Sequence, residues 1–279
     1  MRGKRKSKLK RHQDRWGRIF VLPALLFFSV FNFYPIINAM YTSAFRKRVL
    51  SLDPPDFIGL DNYRYLLSSP DFWNSIRATT VFTLGTFIPL LIFSLLLATL
   101  ISQVKWGQKF LQMAYYSPAV LSSVVAAAIW LLIFDPRGLA NQWVNFVMRS
   151  PGVDHSWFSN ASMVQFATMM VYFWKYVGYF VIIFIAGLAS IPYSLYEAAR
   201  IDGAGSWQSF RRITLPLLRP TIVLVSIMSM LQCLKTFSTQ YLFTQSGAPQ
   251  APINVITMNI YNTGIRDHRI GRASAMSII

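Results

Sequence analysis

Glu197 is the only glutamate in the chain, and it stands in the segment Ile191-Pro-Tyr-Ser-Leu-Tyr-Glu-Ala-Ala-Arg-Ile-Asp-Gly203. Ser194 and Glu197 have the S-x-x-E spacing of a capping box, in which the serine hydroxyl accepts from the Glu197 N–H and the carboxylate reaches back to the Ser194 N–H. That spacing predicts a helix opening at Ser194. Gly203 supplies the left-handed residue that ends it about two turns later. A second helical piece, from about Ser206 through Phe210 and Ile213, is expected to stop at Pro216. Two short helices joined by Gly203-Ala204-Gly205 make a small knob whose bend can enter a groove on a partner. An amphipathic loop lying on lipid headgroups is the alternative, since Trp207, Phe210, Arg211 and Arg212 suit a membrane surface.

A second set of chemically demanding residues lies inside long apolar stretches, where polar side chains are functional candidates by default. Trp174, Lys175 and Tyr176 form one group; Gln232, Lys235, Thr236, Gln240 and Tyr241 form the other. Aromatic faces beside hydrogen-bonding side chains suit a hydroxyl-rich solute such as a sugar. A lysine bonded to backbone carbonyls is the competing reading of Lys175, and ordinary helix packing that of Trp174 and Tyr176. Gln232 is the sharper candidate, because an amide at membrane depth with no evident partner must find one.

Most enzymatic chemistries have no counterpart in the sequence. There is no G-x-x-x-x-G-K-[ST] string to cradle a nucleotide and no G-x-S-x-G elbow. His12, His155 and His268 are scattered, with no helical i, i+4 partner and no cysteine pair nearby, so no metal site is expected. Cys233 stands alone and forms no intrachain disulfide. All nine aspartates and Glu197 fall in loops or in the tail. A carrier driven by its own proton or sodium site usually needs a carboxylate at membrane depth, so a stand-alone ion-coupled carrier or channel is the alternative function rather than the leading one.

The elements that position these residues are membrane spans. Charged residues make up 13% of the chain, hydrophobic ones 54%, and the mean hydropathy is +0.39, which excludes both a disordered chain and an ordinary water-soluble enzyme. Stretches long enough for a bilayer core, about 20 helical residues each, occur at 19–45, 78–104, 110–134, 163–191 and 220–241. A sixth begins at 271–279 and stops too soon to cross. The expected fold is therefore an all-α polytopic membrane protein of about six spans, with the loop 192–219 between the fourth and fifth. A last helix broken off in this way predicts that the natural protein is longer, by roughly 15 residues or more on bilayer-length grounds.

The formal net charge of +17 points to a membrane surface rather than to nucleic acid, because nine of the 27 basic residues lie in 1–18, ahead of the first apolar run. That run is too long for a cleaved signal and no A-x-A site follows it, so it reads as an anchor. With the N-terminus in the cytoplasm, 15 Lys and Arg fall inside and 11 outside, which sets the orientation. The outer loops are rich in aromatic residues, among them Phe57, Tyr65, Trp73, Trp143, Phe146 and Trp157, and interfacial helices would account for them.

The loop 192–219 also carries a spelled motif. Glu197-Ala198-Ala199-Arg200-Ile201-Asp202-Gly203-Ala204, followed by Phe210, Ile213, Leu215-Pro216 and Pro220, resembles the EAA signature, E-A-A-x-x-D-G-A with F-x-x-I-x-L-P-x-x-x-P. It marks integral membrane subunits of binding-protein-dependent ATP-binding-cassette importers. Leu22-Pro23-Ala24, Tyr34-Pro35, Phe57-Ile58-Gly59-Leu60-Asp61-Asn62-Tyr63, Ala186-Gly187-Leu188 and Gly247 with Pro249 extend the resemblance over nearly the whole chain. It is nearest the carbohydrate-uptake branch, which includes maltose, multiple-sugar and glycerol phosphate permeases. The turn Thr244-Gln-Ser-Gly-Ala-Pro249 departs from the glycine-rich turn common there.

The resemblance implies that 1–18 is a cytoplasmic tail and 19–279 a transmembrane domain in a bacterial inner membrane. It implies a second permease subunit, two ATPase subunits that bind ATP and Mg, and an external solute-binding protein, with no cofactor on this chain. Glu197 would pair with a basic residue of the ATPase. Ala198, Ala199 and Ala204 would lie in the coupling element, with the first two allowing close approach. Gly203 would make the bend, and Asp202 would fix it by accepting from loop N–H groups. Helices 4 and 5 would border a cavity for a neutral oligosaccharide or polyol glycoside.

Overall fold

The computed structural model describes residues 8–48, 54–150, 153, 157–158 and 160–279, and for 8–15 the backbone alone. His155 lies outside the described residues. In chain order the helices are α1 (Lys8–Phe28), α2 (Tyr34–Ser43), α3 (Asp61–Ser68), α4 (Pro70–Gln103), α5 (Gln108–Val120), α6 (Ser123–Ile133), α7 (Leu139–Met148) and α8 (Ala161–Ala189). They continue as α9 (Tyr193–Ile201), α10 (Ser206–Ser209), α11 (Leu215–Leu217), α12 (Arg219–Leu234), α13 (Ser238–Gln245), α14 (Gln250–Ile253), α15 (Ile256–Tyr261) and α16 (Ile270–Ile278). Strands β1 (Phe45–Arg46) and β2 (Asp56–Phe57) pair antiparallel, Phe45 opposite Phe57 and Arg46 opposite Asp56. Four helical runs among the described residues are long and apolar enough to cross a bilayer: Trp16–Ser43, Pro70–Gln103, Ala161–Ala189 and Arg219–Gln245.

The chain forms two units. One comprises residues 1–69 and 260–279. Its first helix passes from α1 to α2 through a π turn at Ser29–Phe33, in which the Tyr34 N–H reaches back to the Ser29 carbonyl. Pro35, next in line, has no N–H to offer, and the widened turn lets the helix continue across it. None of its apolar window is buried within the chain. Beyond α2, Asn62 Nδ2 donates to the carbonyls of Ser43 at 2.7 Å and Phe45 at 3.0 Å, tying α3 to the turn into β1. The Gly271 N–H of α16 donates to the Lys47 carbonyl at 3.2 Å. A Cβ on Gly271 would lie 2.1 Å from the Phe45 carbonyl oxygen, so only glycine allows this approach.

The other unit, residues 70–259, holds the main core. Ser75, Thr79, Phe82, Thr86, Leu90, Ser94, Ala98 and Ile101 of α4 recur at three- and four-residue spacing and are all buried. Such a small-residue face lets membrane helices approach closely, with hydroxyls bonded back to their own helix, as in Thr79 to Ser75 at 2.7 Å. Against it pack Tyr172, Val177, Phe180, Val181 and Phe184 of α8 and Val225 and Cys233 of α12. A second cluster joins Ala127 of α6, Val164, Ala167 and Val171 of α8, and Phe243 of α13. The aromatic helix expected beyond the third span is α7, with Trp143 and Phe146 exposed.

Several expected elements differ. The span 110–134 is not one helix: α5 and α6 meet at 98°. Pro118 withholds an N–H from the last turn of α5, Leu121 turns to extended backbone, and Ser122 caps α6 by accepting from the Val125 N–H at 3.2 Å. The span 220–241 is interrupted at Lys235–Phe237. The expected capping box is not formed, because α9 starts one residue early, with Pro192 at the N-cap and no side-chain cap. Pro216 does not stop the second piece either. A π turn at Phe210–Thr214 carries the helix past it, with the Leu215 N–H reaching the Phe210 carbonyl.

Candidate functional site

In the loop 192–219, α9 is a two-and-a-half-turn helix with a fixed end. The Ala204 N–H donates to the Ala199 carbonyl at 2.8 Å and the Gly203 N–H to the Arg200 carbonyl at 3.0 Å. With Gly203 at φ +75°, this is the Schellman arrangement, which needs a residue tolerant of left-handed backbone at that place. The bend is closed by backbone alone: the Asp202 carboxylate makes no hydrogen bond among the described residues, contrary to the expected bonding of loop N–H groups. Tyr196 Oη and Thr214 Oγ1 lie 2.9 Å apart and hold α9 to the helical segment leading into α12.

Glu197 is exposed and has no ion-pair partner among the described residues. Ala198 and Asp202 are exposed too, while Ala199 and Ala204 are half-buried. Ile201 is 87% exposed and Trp207 73%, so apolar surface flanks the glutamate on a helix that its own chain leaves uncovered. Tyr193 and Ile201, four residues to either side of Glu197 on α9, are both exposed, so the carboxylate stands beside apolar surface on one helix face.

The second assembly is a concavity of about 230 Å³ at the two helix interruptions, lined by Ser123, Tyr172, Lys175, Tyr176, Gln232, Lys235, Thr236, Phe237, Ser238 and Thr239 among others. Five of the eight sequence candidates, Lys175, Tyr176, Gln232, Lys235 and Thr236, therefore share one wall. Gln232 Oε1 is buried with no hydrogen-bond partner among the described residues. Lys175 is buried; its Nζ donates to the Leu121 carbonyl and, at 3.5 Å, to the Ala119 carbonyl, and lies 4.9 Å from the Tyr176 ring centroid. The lysine thus caps the carbonyls freed where α5 ends.

The other three candidates lie elsewhere. Trp174 packs edge-on against Trp130, with centroids 5.7 Å apart. The fully buried Gln240 accepts from Thr236 Oγ1 at 2.9 Å, and Tyr241 stacks on Phe237 at 5.2 Å. Thr257 Oγ1 donates to the Thr236 carbonyl at the second interruption. Tyr172, Ser123, Ser238 and Thr239 are lining residues that the sequence reading missed. A signal for Tyr172 was present, because Tyr172, Lys175 and Tyr176 stand at i, i+3 and i+4 on one helix face, as do Gln232, Lys235 and Thr236. Trp174 falls outside that spacing.

Residues 79–279 match the family described as the binding-protein-dependent transport system inner membrane component. The chain is 31% identical over 276 residues to the trehalose/maltose transport system permease protein MalF of Thermococcus litoralis, covering 98% of this chain and 91% of that one. It is 30% identical over 268 residues to the probable starch degradation products transport system permease protein AmyD of Thermoanaerobacterium thermosulfurigenes, covering 94% and 88%. A bacterial ABC transporter involved in the import of the acidic polysaccharide alginate has a chain of the same fold, with a TM-score of 0.79 at 25% identity over 96% of this chain and 90% of that one. With helices fit to span a bilayer and a family match across most of its length, the chain belongs to the inner membrane components of binding-protein-dependent transport systems.

Proposed function

We propose that this chain is a permease subunit that forms half of the translocation pathway of an ATP-driven carbohydrate importer, with its N-terminus in the cytoplasm. It is not itself the enzyme. A second permease subunit completes the pathway, two ATPase subunits bind and hydrolyse ATP with Mg, and an external binding protein delivers the solute. The observation that carries this reading is α9: a rigidly ended helix with Glu197 exposed, without an ion-pair partner among the described residues, and with apolar neighbours exposed. The substrates for which the relatives are named, maltose and starch degradation products among them, favour a carbohydrate.

In this reading α9 is the coupling element. Glu197 pairs with a basic side chain of the ATPase, and closure of the ATPase dimer displaces α9. The Tyr196–Thr214 contact passes that displacement to α12, which carries Gln232 and lies against α4 and α8. Rigid-body movement of these helices turns the concavity from one side of the membrane to the other. Within the concavity, the tyrosine rings of Tyr172 and Tyr176 suit the C–H surface of a sugar, and the polar ends of Gln232, Lys235, Ser238 and Thr239 suit its hydroxyl groups.

The test is ATP-dependent uptake by vesicles holding the complete importer. Glu197→Ala is expected to lower uptake by about tenfold or more and weaken ATPase retention in a pull-down, as loss of a desolvated charge pair at an interface does. Gly203→Pro is expected to do the same by destroying the Schellman end, since proline cannot adopt φ +75°. Unchanged uptake and retention in both variants would reduce the loop to a surface element and reopen the stand-alone carrier. For the pathway, Gln232→Met is expected to leave thermal stability unchanged or raise it by about 1 kcal/mol, since it removes an unsatisfied buried oxygen. The same variant should raise the uptake KM severalfold.

A further inference from the structure

At the end of the first span, opposite the basic tail, the unit formed by residues 1–69 and 260–279 encloses a concavity of about 210 Å³. Arg46, Lys47, Arg48, Arg269 and Arg272 line it, with Asp61 as the one acid in its wall. Asp61 is already engaged by Arg64 at 3.6 Å. Asp56 stands across the ribbon from Arg46 without closing an ion pair among the described residues. Among the described residues the five cations are thus gathered with Asp61 as the one carboxylate beside them.

They are also gathered by design of the backbone. Asn62 holds the Ser43 and Phe45 carbonyls, Gly271 allows the start of α16 to touch β1, and the Arg272 guanidinium lies 3.6 Å from the Tyr65 ring centroid. Arg272 is therefore fixed in direction and keeps N–H groups to donate into the concavity. Five like charges held together repel one another, and lysine and arginine beyond a span work against the bias that orients the chain. An anion in their midst relieves the repulsion.

The surroundings indicate which anion. Arg46 lies three residues past a span whose apolar window is wholly uncovered by its own chain. Tyr41, Phe57, Leu60, Tyr65 and Leu67 of the same unit are exposed, the apolar and aromatic composition of a membrane–water boundary. Guanidinium groups in a fixed fork match phosphate oxygens in pairs. We propose that this concavity is a phosphate-binding site at the membrane surface, filled by the headgroup of an anionic phospholipid.

The test uses the complete importer in detergent, analysed by native mass spectrometry after exchange into phosphatidylglycerol or phosphatidylcholine, with inorganic phosphate and glycerol phosphate as soluble probes. Wild type should retain phosphatidylglycerol at one copy per chain, and R46Q/R48Q, both exposed positions, should lower that retention by about tenfold. R272Q should do so as well; if it fails to fold, the double variant alone decides. Retention of phosphatidylglycerol but not of the soluble probes supports the lipid headgroup. Equal binding of soluble phosphate would overturn the lipid assignment while leaving the anion site. Retention identical in wild type and R46Q/R48Q, or none in either, would overturn the site altogether.

Discussion

Gly178→Val is expected to abolish folding of the membrane domain, seen as loss of the monodisperse complex on purification. A Cβ on Gly178 would lie 1.8 Å from the Tyr115 carbonyl oxygen and 2.3 Å from its carbon. Both atoms belong to the backbone of α5, so no rotamer change can make room. Overpacking in a core costs about 1–3 kcal/mol when side chains can shift, and more when two backbones must separate. Gly178→Ala already forces the two helices apart and should lower the thermal midpoint markedly. By contrast, Gly85→Ala meets only the flexible end of Met169, 2.7 Å from its sulfur, and should be tolerated far better.

Lys175→Met should be the second largest effect. It keeps an unbranched chain one atom shorter and removes the donor that caps Leu121 and Ala119 at the end of α5. A buried acceptor left without its partner costs about 1–3 kcal/mol, and bonds from a charged donor lie at the upper end. Two carbonyls lose their partner at once, so thermal unfolding of the complex is expected several degrees earlier. Proteolysis should open first at the 98° break between α5 and α6. Lys175→Arg tests geometry rather than charge: a planar fork cannot place a single donor between the two carbonyls in the same space. A stability unchanged in both variants would remove the capping role.

Much of this architecture was legible in the sequence, and the reasons differ by element. Long uncharged runs identify spans because a bilayer core sets a minimum length, and a spelled motif marks α9. Hydropathy, however, sums over a window and carries no direction, so a helix that turns through a right angle scores like a straight one. The break in 110–134 could have been seen only in Pro118 followed by Ser122, a helix end and an N-cap four residues apart. The capping box failed for a related reason: Pro192 takes the N-cap with ψ 128°, so α9 starts at Tyr193 and leaves Ser194 inside the first turn, where its hydroxyl no longer stands at the cap. Side-chain placement followed helical spacing, which grouped residues 172, 175 and 176 with 232, 235 and 236 but set Trp174 against Trp130.

Each interruption of a membrane helix releases carbonyl oxygens, and such oxygens are the usual seat of a stripped metal cation. In this chain the Ala119 and Leu121 oxygens accept from the Lys175 amino group, and the Thr236 oxygen accepts from Thr257. Those three oxygens therefore already accept from the protein's own hydrogens, and a sodium or potassium ion would have to displace these donors to use them. A hydroxylated solute can still enter, because it trades bonds with side chains rather than with those carbonyls. On the proposed importer reading, a pathway held this way admits a sugar without offering these oxygens to the ions whose gradients the rest of the membrane is kept to maintain.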